Sequence, residues 1–123
     1  MRILVVDKDV ALGRALVIGL GAFGHEVDVV PQARPDPYCS ADVVLVGAAM
    51  RGPEEVAATA EAVRELRSQY HGFIIALSDG SRRLGNEAMT ALGADGWVAK
   101  PFGISELLGC IKAVTQQGAL AVL

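Results

Sequence analysis

Residues 3–7, Ile3-Leu4-Val5-Val6-Asp7, decide the fold. Four β-favouring aliphatic residues run without a polar break and stop on an acid. A half-exposed strand would alternate polar and apolar; an unbroken run is what a strand covered on both faces of a parallel sheet requires. The pattern recurs along the chain, because Glu26 to Val30, Val43 to Val46, Phe73 to Leu77 and Trp97 to Ala99 also read as strands. Helical spacing fills the intervals. Val10 to Phe23 sets Leu12, Leu16, Gly19 and Phe23 on one face. Pro53 to Tyr70 opens with proline in its first turn and Glu54-Glu55 at the positive end of the helix dipole, and it stacks Val56, Val63, Leu66 and Tyr70. A third helix is predicted near Arg82 to Leu92. A fourth, near Ile104 to Gln116, buries Ile104, Leu107, Leu108 and Ile111.

Strand–helix alternation with right-handed crossovers predicts an α/β, three-layer sandwich around a five-stranded parallel sheet. The expected order is the flavodoxin-like 2-1-3-4-5. One connection departs from the rule: residues 31–41 hold Pro31, Pro35 and Pro37. Proline removes amide donors and restricts its predecessor, so the second crossover helix is expected to be shortened or missing.

With 123 residues the chain is expected to form one domain, residues 1–117, followed by a tail or start of linker over 118–123. It is 52% apolar and 20% charged, which suits a globular domain. A net charge of −3 with eleven scattered Lys and Arg gives no basis for direct nucleic acid binding. Cys39 and Cys110 lack metal-ligand spacing and read as reduced thiols. The N-terminal apolar run is too short for a signal peptide, and no segment approaches the ~20 apolar residues of a membrane span. A cytoplasmic protein without membrane contact is the expectation.

In a sheet of this order, ligands meet the carboxyl ends of the strands. Function should therefore be sought at Asp7-Lys8-Asp9, Gly47 to Met50, Ser78-Asp79 and Lys100-Pro101. The string Gly19-Leu20-Gly21-Ala22-Phe23-Gly24 matches a dinucleotide fingerprint, but it closes a helix instead of opening one after a strand. Its glycines read as close packing and a C-terminal cap. No metal, cofactor or catalytic set is expected.

The residues at these strand ends resemble the receiver domain of two-component response regulators. Ile3 to Asp7 resembles that family's first strand and acidic pocket. Asp42-Val43-Val44-Leu45-Val46 with Met50 resembles its third strand and the loop after it. Gly93-Ala94-Asp95-Gly96-Trp97-Val98-Ala99-Lys100-Pro101-Phe102 resembles its fifth strand and Lys-Pro-Phe turn. In the family, two acids after the first strand and an aspartate ending the third hold Mg²⁺, and that aspartate accepts a phosphoryl group from a histidine kinase. A hydroxyl and a lysine bind the phosphoryl oxygens. Carried over, Asp7 matches the first acid, Ser78 the hydroxyl and Lys100 the lysine. Lys8 stands where the second acid belongs, Gly47 stands at the phosphoacceptor, and Arg51 replaces the proline that usually follows the methionine.

Glycine offers no side chain to esterify, so the resemblance implies an atypical receiver with a degenerate pocket. Asp42 lies about 17 Å back along an extended strand and belongs to the other end of the sheet. Asp9 and Asp79 read as helix-start and loop residues. One negative charge against two positive ones disfavours a divalent cation, and Lys8 or Lys100 is expected either to occupy the metal's place or to point into water. Trp97 matches the family's switch aromatic. The expected function is a phosphorylation-independent signalling module, not an enzyme, in a two-component-type or transcriptional regulator. Alternatives are a receiver phosphorylated on a non-standard carboxylate and an anion-sensing α/β domain. The expected partner is a protein or an output domain. Met89 and Trp97, on the face the family builds from its fourth helix, fifth strand and last helix, form one candidate surface, which would also serve a homodimer. Val17 and Ile18 form the other.

Overall fold

The structure is a computed structural model, and it describes residues 1–31, 40–48, 52–78, 93–117 and 121–122. Six strands are present: β1 (Arg2–Val6), β2 (Glu26–Val30), β3 (Val43–Ala48), β4 (Phe73–Ser78), β5 (Gly96–Ala99) and β6 (Ala121–Val122). Three helices lie among the described residues: α1 (Val10–Gly21), α2 (Pro53–Gln69) and α3 (Ile104–Gln117). The sheet runs β2-β1-β3-β4-β5-β6 with every neighbouring pair parallel. The flavodoxin-like five-strand order therefore stands. The addition is β6, which comes from the segment expected to be a tail and pairs Ala121 and Val122 with Gly96 and Trp97. A bare β5 edge would expose unpaired amide and carbonyl groups, and two residues suffice to cover part of it.

The continuous apolar strands do what their sequence requires, presenting successive residues to opposite faces. Ile3, Val5, Val43, Leu45, Ile75, Leu77 and Val98 pack with Leu16 and Leu20 of α1 and with Leu107, Cys110, Ile111 and Val114 of α3. Leu4, Val6, Val44, Val46, Ile74, Ala76 and Trp97 pack on the other face with Leu66 and Tyr70 at the end of α2.

Two details of α1 differ from the helical spacing. The helix ends at Gly21, and Phe23 is 64% exposed, while Leu20 is fully buried in its place. The chain turns out of the helix before Phe23 reaches the core, through Gly24 at φ 87°, a conformation open to glycine without a side-chain clash. Gly19 serves close packing as expected: a β-carbon there would come within 2.7 Å of Ile104 Cγ1 of α3. In α3, Cys110 and Val114 are more deeply buried than Ile104 and Leu108. The proline-rich connection at 32–39, with Cys39, and the helix predicted near Arg82 to Leu92 lie outside the described residues.

Candidate functional site

Strands β1, β3, β4 and β5 end side by side, and their register fixes which residues meet. Val6 pairs with Val46, so Asp7 and Gly47 stand one step beyond that pair at the same level. Ala48 is level with Ser78, and Ser78 with Ala99. The Lys100 amide donates to the Ser78 carbonyl at 2.6 Å, which carries the β5 end onto β4. Ser78 itself is fully buried.

Asp7 is held from three sides. Its backbone N–H donates to the Val30 carbonyl at 3.1 Å. Its Oδ1 accepts from the Asp9 amide at 2.9 Å, and its Oδ2 accepts from Lys100 Nζ at 3.0 Å. The pair is largely withdrawn from water, with 8% of the Asp7 side chain and 22% of the Lys100 side chain exposed. Burial of this degree makes a charge-assisted hydrogen bond worth more than an ordinary surface pair. Gly47 makes the arrangement possible. A β-carbon on residue 47 would overlap the Asp7 carboxylate, coming 2.6 Å from Cγ. The carboxylate of β1 thus fills the space that a side chain on β3 would take.

A cleft of about 620 Å³ adjoins this edge, with Asp7, Lys8, Gly47 and Lys100 on one side and Ala58, Thr59 and Ala62 of α2 among its other walls. Among the described residues, no group of three or more His, Cys, Asp or Glu side chains is placed to hold a metal ion. Among the described residues, the charged groups joined at the strand ends are Asp7 and Lys100.

No family model matches the chain. It is 31% identical over 125 residues to the two-component response regulator PhoP of Pseudomonas aeruginosa, an alignment covering 97% of this chain and 53% of that protein. The chain therefore spans about half the length of the curated relative it matches. Among solved structures it is similar to the BeF₃-activated N-terminal receiver domain of Klebsiella pneumoniae RstA, with a TM-score of 0.73 at 23% identity over 95% of this chain and 100% of that one. The Vibrio cholerae chemotaxis protein CheY4 matches with a TM-score of 0.71 at 23% identity, over 92% and 97% of the two chains. The chain has the fold of response-regulator receiver domains.

Other residues of the domain fall as follows. Asp9 is the N-cap of α1, its Oδ1 accepting from the Leu12 amide at 3.1 Å. Asp42 lies at the opposite end of the sheet, where its Oδ2 accepts from the Arg2 amide at 2.7 Å. Lys8 is exposed beside the closed pair, and the Lys100–Asp7 bond puts Lys100, not Lys8, on the carboxylate. Trp97 is only 3% exposed and belongs to the core on the α2 face. That corrects its assignment to an outer partner surface: alternation along the four-residue β5 turns the indole into the sheet's covered face. Met89, Met50, Arg51 and Asp79 lie outside the described residues. Val17 and Ile18 are 42% and 74% exposed, as the helical spacing placed them.

Two features of the domain escaped sequence reasoning. Arg67, near the end of α2, donates to the carbonyls of Gly72 and Gly93 and to Asp95 Oδ2, at 2.7, 3.0 and 2.7 Å. Asp95 Oδ2 also accepts from the Ile74 amide, so this strut fastens α2 to the starts of β4 and β5. Val10 and Val29, at 65% and 37% exposure, extend the Val17–Ile18 surface. The signal for the second was present in the sequence, since Val10 lies seven residues from Val17 on one helical stripe.

Proposed function

We propose that this receiver works without phosphorylation on aspartate, as a signalling module that acts through contacts with a protein partner or an output domain. The observation that carries the reading is the Lys100–Asp7 bond closed over Gly47. The residue with no side chain stands where the resemblance places the phosphoacceptor, and the neighbouring acid is committed to the lysine that would otherwise receive the phosphoryl oxygens. Asp9 is committed as a helix cap. A Mg²⁺ ion would have to displace an ammonium from Asp7 and approach past Lys8, whereas such ions are held by oxygen ligands of net negative charge. The lysine stands in for the metal and keeps the edge in one arrangement.

The test is incubation of the purified chain with acetyl phosphate and Mg²⁺, followed by phosphate-affinity electrophoresis and intact-mass measurement. The expected result is one unshifted band and no gain of phosphate mass. A modified species that disappears in Asp7→Asn or Asp9→Asn would overturn the reading. So would saturable quenching of Trp97 fluorescence by millimolar Mg²⁺.

A further inference from the structure

A second concavity lies on the far side of β1, between α1 and the sheet-edge strand β2. Its volume is about 510 Å³, inside the range of roughly 300–1,000 Å³ usual for small-molecule sites. Of the six large apolar residues exposed among the described residues, four line it: Val10, Val17, Ile18 and Val29. Single exposed aliphatics are ordinary on a protein surface; four converging on one groove are not. The groove owes its shape to Gly13, buried in the middle of α1. A β-carbon there would come 2.8 Å from Val29 Cγ1, so the glycine lets the valine of β2 seat against the helix.

The charged lining is one-sided. Lys8 and Arg14 both border the groove, both are exposed, and neither joins an ion pair among the described residues. The acid that borders it, Asp7, is already neutralised by Lys100. Among the described lining residues, an apolar surface with two cations outside any ion pair and no free carboxylate is complementary to one chemical class.

We propose that this groove binds a small amphipathic anion, with an aliphatic or aromatic body against Val10, Val17 and Val29 and a carboxylate, sulfate or phosphate head between Lys8 and Arg14. Such a ligand would meet the strand-end cleft at Lys8, which borders both, and a bound head there would lie one residue from the Asp7–Lys100 pair. The site does not depend on whether the domain takes phosphate, so the electrophoresis experiment can fail while this groove still binds, and the reverse.

The test titrates the full chain with 4-phenylbutyrate, with the neutral 4-phenyl-1-butanol and with inorganic phosphate, following valine and isoleucine methyl resonances by NMR. The expected result is saturable shifts confined to Val10, Val17, Ile18 and Val29, with the carboxylate about tenfold tighter than the alcohol and phosphate weaker than both. Lys8→Gln with Arg14→Gln should bring the carboxylate down to the alcohol's affinity, and Val17→Asp should weaken both organic probes. All three positions are exposed, so each variant should keep the wild-type fold, checked by its remaining methyl spectrum. Equal binding of acid and alcohol, shifts centred elsewhere, no saturation, or a double variant that binds as the parent does would each overturn the proposal.

Discussion

Adding one methyl group at position 47 tests the geometry of the strand ends directly. The β-carbon of Gly47→Ala would sit 2.6 Å from Asp7 Cγ, about 1 Å inside ordinary carbon–carbon contact. Position 47 is not one of the two glycines with positive φ among the described residues, so the backbone itself tolerates alanine. The carboxylate must therefore retreat, and a 3.0 Å bond to Lys100 then stretches beyond hydrogen-bonding length. Losing a hydrogen bond between charged groups costs about 1.5–3 kcal/mol. Against this, replacing glycine lowers the entropy of the unfolded chain and returns about 0.4–1 kcal/mol. The net expectation is a destabilisation of about 1–2 kcal/mol, seen as a fall in Tm of roughly 3–8 °C. In an Asp7→Ala background there is no carboxylate to displace, and the same substitution becomes neutral or stabilising by about 0.5 kcal/mol. Urea and thermal unfolding of the four proteins give the coupling, expected at about 2 kcal/mol. If Gly47→Ala has the same effect, within about 0.5 kcal/mol, in both backgrounds, the close approach of Asp7 to Gly47 does not exist in solution and the reasoning fails.

Arg67→Ala removes three donated bonds at once and leaves Asp95 without its cation, so urea unfolding should show a loss of about 2 kcal/mol; a change below about 0.5 kcal/mol would remove the strut from the account. Burial pushes the Cys110 thiol up to about 11 from 9.0, and burial with the Asp42 charge pushes Tyr70 up to about 12 from 10.0. The folded state then holds protons that the unfolded state releases, so this contribution is whole below pH 9 and is lost as pH rises through 9 to 12. Unfolding midpoints should fall across that window, and Cys110→Ala with Tyr70→Phe should flatten the fall. Asp9→Ala should cost about 1 kcal/mol through loss of the α1 cap, read by thermal unfolding.

The sheet was legible because its strands are continuous apolar runs, a pattern that only burial on both faces explains. Their order followed from the alternation with helices, and the level of Asp7 beside Gly47 could have been found from the same strands once Val6 is paired with Val46. What the glycine does was not legible. Composition shows a missing side chain, but only the packed strands show that a neighbour's carboxylate fills the vacated space. Leu20 against Phe23 shows a second limit: helical periodicity ranks both as inward, and the point where the helix stops decides between them. Trp97 shows a third, because its burial depends on which face of the four-residue β5 it takes, and that face is covered in the core beside α2.

The absence at position 47 and the Asp7–Lys100 pair act together. A carboxylate on residue 47 would compete with Asp7 for the same volume and the same ammonium. Two carboxylates crowded around one lysine raise each other's affinity for protons. Restoring the side chain alone therefore yields a crowded pair of carboxylates. The arrangement behaves as a unit in which glycine admits Asp7, Asp7 holds Lys100, and Lys100 carries the turn after β5 toward β1. A change at any one of the three positions is felt at the other two, which is why the coupling energy between positions 7 and 47 is more informative than either single substitution.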